Sequence, residues 1–434
     1  MEKPEVTGNE RPLPRWPFSF VGLPGNPWRG LSGLPREVWL LFATNLINRA
    51  GMMVLPFLVL YLTRGLGFTA AQAGVAFALY GATAIFVGPI SGRLSDRFGP
   101  LPIMRASLLA SGAMLLLLSL ARSYSAVLTL IALWAACAEF FRPASLAAIT
   151  HVVSAEQRKP AFALNRLAIN LGMSIGPALG GFLATVSFPA MFVVDGITTL
   201  IAGTVLASTS WRDPVPPATE NMTDADGSLK NAQLLTEPRF FMFLLATVLV
   251  GVVFFQHESG LPLYMVEQLH LSPAFYGTLF TINTLLIVAF EVPINTWTSH
   301  WPNAWPLAIG SMLFAIGFGG LAVIQSPAGI LVLVVIWTFG EMALFPAMSA
   351  HLGDVAPPHR RGAYMGAYSM SLSIALAVGP WLGTQLFASV GAVVLWSIMF
   401  VLAALAAVLM VFAAGPRDSR SAAAAAESWQ RSSR

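Results

Sequence analysis

The sequence predicts an all-α integral membrane protein whose twelve transmembrane helices form two pseudo-symmetric six-helix bundles. Three observations carry that expectation. Of 434 residues, 56% are hydrophobic and 10% charged, too few charges to solvate a water-soluble chain of this length. Twelve apolar runs bounded by Pro, Gly or charge have the ~20 residues needed to cross a bilayer core. The two halves also repeat: an offset of 203 carries Pro143-Ala144 onto Pro346-Ala347, Val152 onto Val355, Arg158 onto Arg361, Gly176-Pro177 onto Gly379-Pro380, Gly180 onto Gly383 and Gly74 onto Gly277.

In order, the predicted spans are 38–62, 72–92, 102–121, 126–149, 161–184, 190–208, 239–264, 273–296, 305–325, 329–350, 363–388 and 391–413. Residues 1–37 form a Pro-rich, charged arm without a signal-type apolar core, expected to stay in the cytoplasm uncleaved. The bundles are 38–208 and 239–413, joined by the polar segment 209–238, read as a cytoplasmic linker, and 414–434 is expected to be a disordered cytoplasmic tail. Of 24 Lys and Arg, twenty fall on the side of the termini, two (Arg64 and Arg122) on the other, and Arg49 and Arg142 within spans. That asymmetry places both termini in the cytoplasm, at a plasma membrane of the bacterial inner type.

Several chemistries are excluded. Neither Lys3, Lys159 nor Lys230 stands in a Gly-x4-Gly-Lys-Ser/Thr loop, so solute work must draw on a gradient or a separate ATPase. The six histidines form no ligand-spaced cluster and Cys137 is the single cysteine, so no metal, disulfide or cofactor is expected beyond a proton gradient. Gly172-Met-Ser174-Ile-Gly176 spells a nucleophile elbow, but a lipid span offers neither the strand-turn-helix setting nor a histidine partner. The chain is therefore not read as an enzyme, and scattered basic residues give no nucleic-acid patch.

Two motifs point to a family. Gly92-Arg-Leu-Ser-Asp96-Arg97-Phe-Gly99, read as the loop between spans 2 and 3, resembles the signature loop of the major facilitator superfamily, with Pro100-Leu101-Pro102 in place of its usual basic pair. The resemblance implies a cytoplasmic latch in which Asp96 meets Arg97 and a helix N-terminus. Gly172-Met-Ser-Ile-Gly176-Pro177-Ala-Leu-Gly180-Gly181 in span 5 is similar to the glycine motif of the family's proton-driven exporters, with Ala163 at the upstream glycine. Its small residues are expected to pack against the other bundle and seal the outer side.

Charges inside spans carry the functional expectation, because each is costly unless paired or hydrated. The resemblance makes spans 1, 4, 7 and 10 line the cavity. They hold Asn45, Asn48 and Arg49; Glu139 and Arg142; His257 and Glu258; and Glu341. Asn45 and Arg49, and Glu139 and Arg142, share helical faces, and all these residues are expected to meet in one aqueous cavity. The alternative for Arg49, Glu139 and Arg142 is a fixed structural ion network. Glu341 has no cation in its own span, so it is the carboxylate first expected to exchange the proton, with Glu139 as the alternative; Glu291 and Asp195 are read as structural. The resemblance implies a monomeric, proton-coupled exporter of small amphipathic compounds working by alternating access. A proton-coupled importer of nutrients or short peptides and a non-transporting sensor or scaffold are the alternatives.

Overall fold

The computed structural model describes residues 33–154, 157–209, 237–299, 301–357 and 361–415. Nearly all of the arm, linker and tail predicted above lie outside the described residues, as do the side chains of Gly92 and Asp96. Twelve helices long and apolar enough to cross a membrane follow in order, with no strand among the described residues. They are α1 (Arg36–Gly65), α2 (Ala70–Phe98), α3 (Pro100–Leu120), α4 (Tyr124–Val152), α5 (Arg158–Val186), α6 (Phe188–Ala207), α7 (Pro238–Glu258), α8 (Pro273–Thr298), α9 (Ala304–Ala322), α10 (Pro327–Val355), α11 (Arg361–Val390) and α12 (Ala392–Ala414).

Local chemistry explains where these helices begin and where they break. Thr69, Ser123, Ser187, Ser272 and Ser326 each accept the backbone N–H three residues on, starting α2, α4, α6, α8 and α10. Between α2 and α3 only Gly99, at φ +82°, stands outside regular helix, with Pro100 at the first position of α3. The motif read as a loop is therefore the last two turns of α2. Downstream of it, Arg105 donates to the carbonyls of Leu206 and Thr209, capping the end of α6.

Three spans read as continuous are broken. α1 is interrupted between Gly51 and Val54, and Pro56 supplies no N–H for the Met52 carbonyl. α4 breaks at Phe140, where Pro143 leaves the Glu139 carbonyl without its helical donor and the Ser91 hydroxyl donates to the Phe140 carbonyl at 3.1 Å. α7 tightens into a 3-10 turn, Phe255–Glu258, and breaks at Ser259 ahead of Pro262. At Pro346, the repeat partner of Pro143, α10 runs through unbroken.

The internal repeat persists in three dimensions. Both α1 and the chain after α7 end in π-helical turns, Tyr61–Gly65 and Leu263–Gln268. Tyr61 donates to the Leu118 carbonyl and Tyr264 to that of Leu321, each pair 57 residues apart. Between the halves, α2 packs on α11 and α5 on α8. A Cβ on Gly74 would lie 3.1 Å from the Cβ of Thr384, and one on Gly277 3.2 Å from the Cα of Gly181, the close approach that small residues permit between membrane helices.

These contacts gather at the end of the bundle away from the termini. There Gln385 donates to the Ala71 carbonyl at 3.1 Å, Thr281 to that of Ser174 at 2.7 Å and Tyr276 to that of Pro56 at 3.0 Å. Arg64 and Glu267, equivalent positions 203 residues apart in the repeat, join at 2.8 Å. Toward the termini, Arg166 of α5 pairs with Glu291 of α8 at the edge of an open cavity of about 460 Å³. Because Arg64 and Glu267 are both over a third exposed, their pair is worth about 1 kcal/mol or less. Reversing Arg64→Glu is expected to favour opening of this end by up to about fivefold. A cysteine at Leu261 should then react faster with a membrane-impermeant maleimide, and Arg64→Glu with Glu267→Arg should restore the slow rate.

Candidate transport site

The polar residues inside the spans fall into two groups, divided by the turn that interrupts α7. A 3-10 helix has three residues per turn, so residues i and i+3 share a face. Phe255 and Glu258 face one cavity, Phe254 and His257 another. On the third face Gln256 donates to the Gly379 carbonyl of α11 at 2.8 Å and accepts from Ser259 at 3.3 Å, which anchors the turn.

The first cavity, about 310 Å³, brings together Asn48 and Arg49 of α1, Glu139 and Arg142 of α4, Asp195 of α6 and Glu258 of α7, with Tyr80 and Trp134 as aromatic wall. Its charges come from both halves of the chain. Glu258 is 6% exposed, and its Oε1 lies 3.7 Å from His257 Nε2. The Oε2 of Glu258 and the Nε of Arg49 are buried without a hydrogen-bond partner among the described residues. Asp195, set aside by the sequence reading, accepts the backbone N–H groups of Met53 and Val54 at 3.1 and 3.0 Å and the Thr199 hydroxyl at 3.4 Å. It thereby supplies acceptors for the N–H groups freed where α1 breaks.

Glu341 stands elsewhere. It lines the second cavity, about 160 Å³, with Phe254, His257, Tyr276, Phe280, Asn283 and Trp337. It also lines the third, of about 460 Å³, with Arg166, Glu291 and Ser349. Asn283 donates to Glu341 at 3.0 Å and to Thr338 at 2.9 Å.

These placements correct three expectations. The in-span charges do not share one cavity, because α7 separates Glu341 and His257 from Arg49 and Arg142. Glu341 has an amide partner, whereas the Oε2 of Glu258 is buried without one among the described residues. Asn45 is buried in helix packing, donating to the Leu41 carbonyl at 3.0 Å and to Ser145 at 3.2 Å. Apart from these, Arg166 pairs with Glu291 across the two halves.

The glycine motif also acts differently from expectation. A Cβ on Gly176 would stand 2.8 Å from the Met52 carbonyl oxygen, and one on Gly180 2.6 Å from the Met53 Cβ. Gly172 likewise faces Arg49 and Ala50. Spaced by four, these glycines clasp the break in α1 of their own half, while Gly181 and the carbonyls of Ser174 and Pro177 meet α8. Sequence reasoning missed Asn283, whose polar side chain in an apolar span was a usable signal. It also missed Trp337, for which there was none, since tryptophan in a span serves packing equally well.

Comparison with known proteins agrees with this architecture. The Major Facilitator Superfamily profile matches residues 40–272 and 259–433. The chain is 28% identical to the uncharacterized MFS-type transporter YqjV of Bacillus subtilis (80% of this chain, 85% of the relative). It is 23% identical to a Na(+), Li(+), K(+)/H(+) antiporter of Planococcus maritimus (77% and 85%), and 21% identical to the multidrug resistance protein MdtH of Escherichia coli strain SE11 (81% and 86%). Among solved structures, a POT family transporter in complex with a thioalcohol-conjugated peptide superposes with a TM-score of 0.74 at 16% identity (89% of this chain, 97% of that one). The chain thus belongs to the Major Facilitator Superfamily: it is a multi-pass secondary transporter of the membrane and not an enzyme.

Proposed function

We propose that the protein exports small amphipathic compounds across the bacterial inner membrane in exchange for protons, as a monomer working by alternating access. The observation that carries this reading is the cavity around Glu341, where a carboxylate stands among Phe254, Tyr276, Phe280 and Trp337. A carboxylate ringed by aromatic faces suits a solute with a positive charge and an apolar body. Relatives named for multidrug resistance and for cation/proton antiport support the direction. With both termini in the cytoplasm, as the distribution of Lys and Arg argues, the closed end faces outward and the structure corresponds to an inward-facing state.

The test is transport in inverted membrane vesicles with an imposed pH gradient, over a panel of cationic, neutral and peptide solutes. Accumulation of aromatic cations that collapses with the gradient is the expected result. Proton-driven movement of peptides in the opposite sense would instead establish the importer. Absence of flux for the whole panel would favour a non-transporting role.

A further inference from the structure

The α7 turn has a consequence for coupling. Phe254 and His257 present one face to the cavity holding Glu341, while Phe255 and Glu258 present another to the cavity holding Arg49, Glu139, Arg142 and Asp195. Their separation follows from the threefold geometry of the 3-10 turn. Gln256, held by α11 on the third face, leaves the other two as the sides through which the turn can be displaced. Tyr276 of α8 donates to the carbonyls of both His257 and Pro56, so the same turn is tied to the break in α1.

The two cavities differ in chemistry. Beside Glu341 the wall is aromatic, and Asn283 holds one carboxylate oxygen and fixes the orientation of the anion. Beside Glu258 the wall is charged. The titratable groups lining the cavity with Glu258 are Arg49 of α1, Tyr80 of α2, Glu139 and Arg142 of α4 and Asp195 of α6, with His257 adjacent in α7 and Tyr276 of α8 close by. Its Oε2 has no hydrogen-bond partner among the described residues, and the Arg49 Nε in the same cavity is likewise unsatisfied. A buried oxygen left in that condition can be accommodated by a proton on the carboxyl group or by pairing with a guanidinium.

We propose that substrate and proton occupy different cavities on two faces of the Phe255–Glu258 turn: an aromatic organic cation beside Glu341 and Trp337, and the exchanged proton on Glu258. The inference rests on the export reading above. A cation entering the aromatic cavity presses on Phe254 and His257 and carries Glu258 toward Arg49 and Arg142. The Glu258 carboxyl O–H bond then breaks, the proton passes to water admitted to the cavity of about 310 Å³ that Glu258 lines, and the carboxylate pairs with a guanidinium. Substrate and proton are thus linked without competing for one side chain. Glu341 binds substrate, and Glu258 acts on it only through the turn.

The experiment uses full-length protein in detergent and tetraphenylphosphonium, an aromatic cation that cannot itself release a proton. Affinity is measured by calorimetry and proton release with an indicator in weak buffer. Trp337→Ala and Glu341→Gln should each weaken binding by about tenfold or more. Glu258→Gln should bind within about threefold of the native affinity yet release no proton, and its affinity should lose its pH dependence. Glu258→Asp, which keeps an ionisable group, should restore release. Melting curves identify variants that fail to fold, and for Glu341 the comparison then passes to Trp337→Phe, expected to retain binding, against Trp337→Ala. Proton release persisting in Glu258→Gln overturns the proposal. So does Glu341→Gln that binds normally but releases nothing, which would put the exchanged proton on Glu341 and leave the export reading standing. If the native protein binds neither this probe nor any aromatic cation in the panel, both the export reading and the partition fall.

Discussion

Replacing Gly176 by leucine is expected to remove most of the folded protein, while alanine at Gly353 or Gly366 leaves its amount unchanged. At Gly176 even a Cβ would approach the carbonyl oxygens of Met52 and Arg49 to 2.8 and 2.9 Å. Those atoms belong to the broken segment of α1, whose path is set by Pro56 and by the hydrogen bonds from Met53 and Val54 to Asp195, so they have little freedom to withdraw. Overpacking a well-filled contact costs ~1 to 3 kcal/mol, and here the obstacle is backbone, which cannot change rotamer. At Gly353 and Gly366 nothing lies within 4 Å of an added Cβ, and alanine in a helix gains roughly 0.5 to 1 kcal/mol over glycine. The check is the yield of monodisperse protein in detergent and its melting temperature. A Gly176→Leu protein obtained in native yield that melts with the native one would refute the clasp on α1.

Removal of the Asp195 carboxylate should be the second large effect. Asp195→Ala deprives the Met53 and Val54 N–H groups of their acceptor inside the bundle. Each orphaned buried donor costs about 1 to 3 kcal/mol, so the pair is worth roughly 2 to 6 kcal/mol before water enters. Asp195→Asn keeps one acceptor oxygen and should lose less. Thermal unfolding of the purified proteins should rank them native, Asn, then Ala. An alanine variant as stable as the native protein would show that α1 breaks without help from α6.

The sequence revealed those features of the fold that depend on neighbours along the chain. Span number follows from hydrophobic length, and the serine and threonine caps stand where predicted spans begin. Breaks were legible in principle at Pro56, Pro143 and Pro262, since each proline removes a donor to the carbonyl four residues earlier. Yet Pro346 occupies the same repeat position as Pro143 without breaking α10, so proline alone does not decide the matter. The candidate site was legible as an inventory: Arg49, Glu139, Arg142, His257, Glu258 and Glu341 all line cavities. Their grouping was not, because adjacency in sequence misleads where a 3-10 turn sends His257 and Glu258 into different cavities.

By itself the sequence determined the membrane setting, the twelve spans, the twofold repeat and the identity of the charges carried into lipid. These are consequences of composition, periodicity and the cost of burying charge. Tertiary structure alone decided which charges meet. Asp195 reaches Met53 across 142 residues and Arg166 reaches Glu291 across 125. Asn283 finds Glu341 only because α8 lies against α10. Pairings over such separations depend on the rotation and depth of each helix in the bundle, which small residues such as Gly176 and Gly277 set through close contact. No local pattern encodes that geometry, because it is fixed jointly by every helix packed around it.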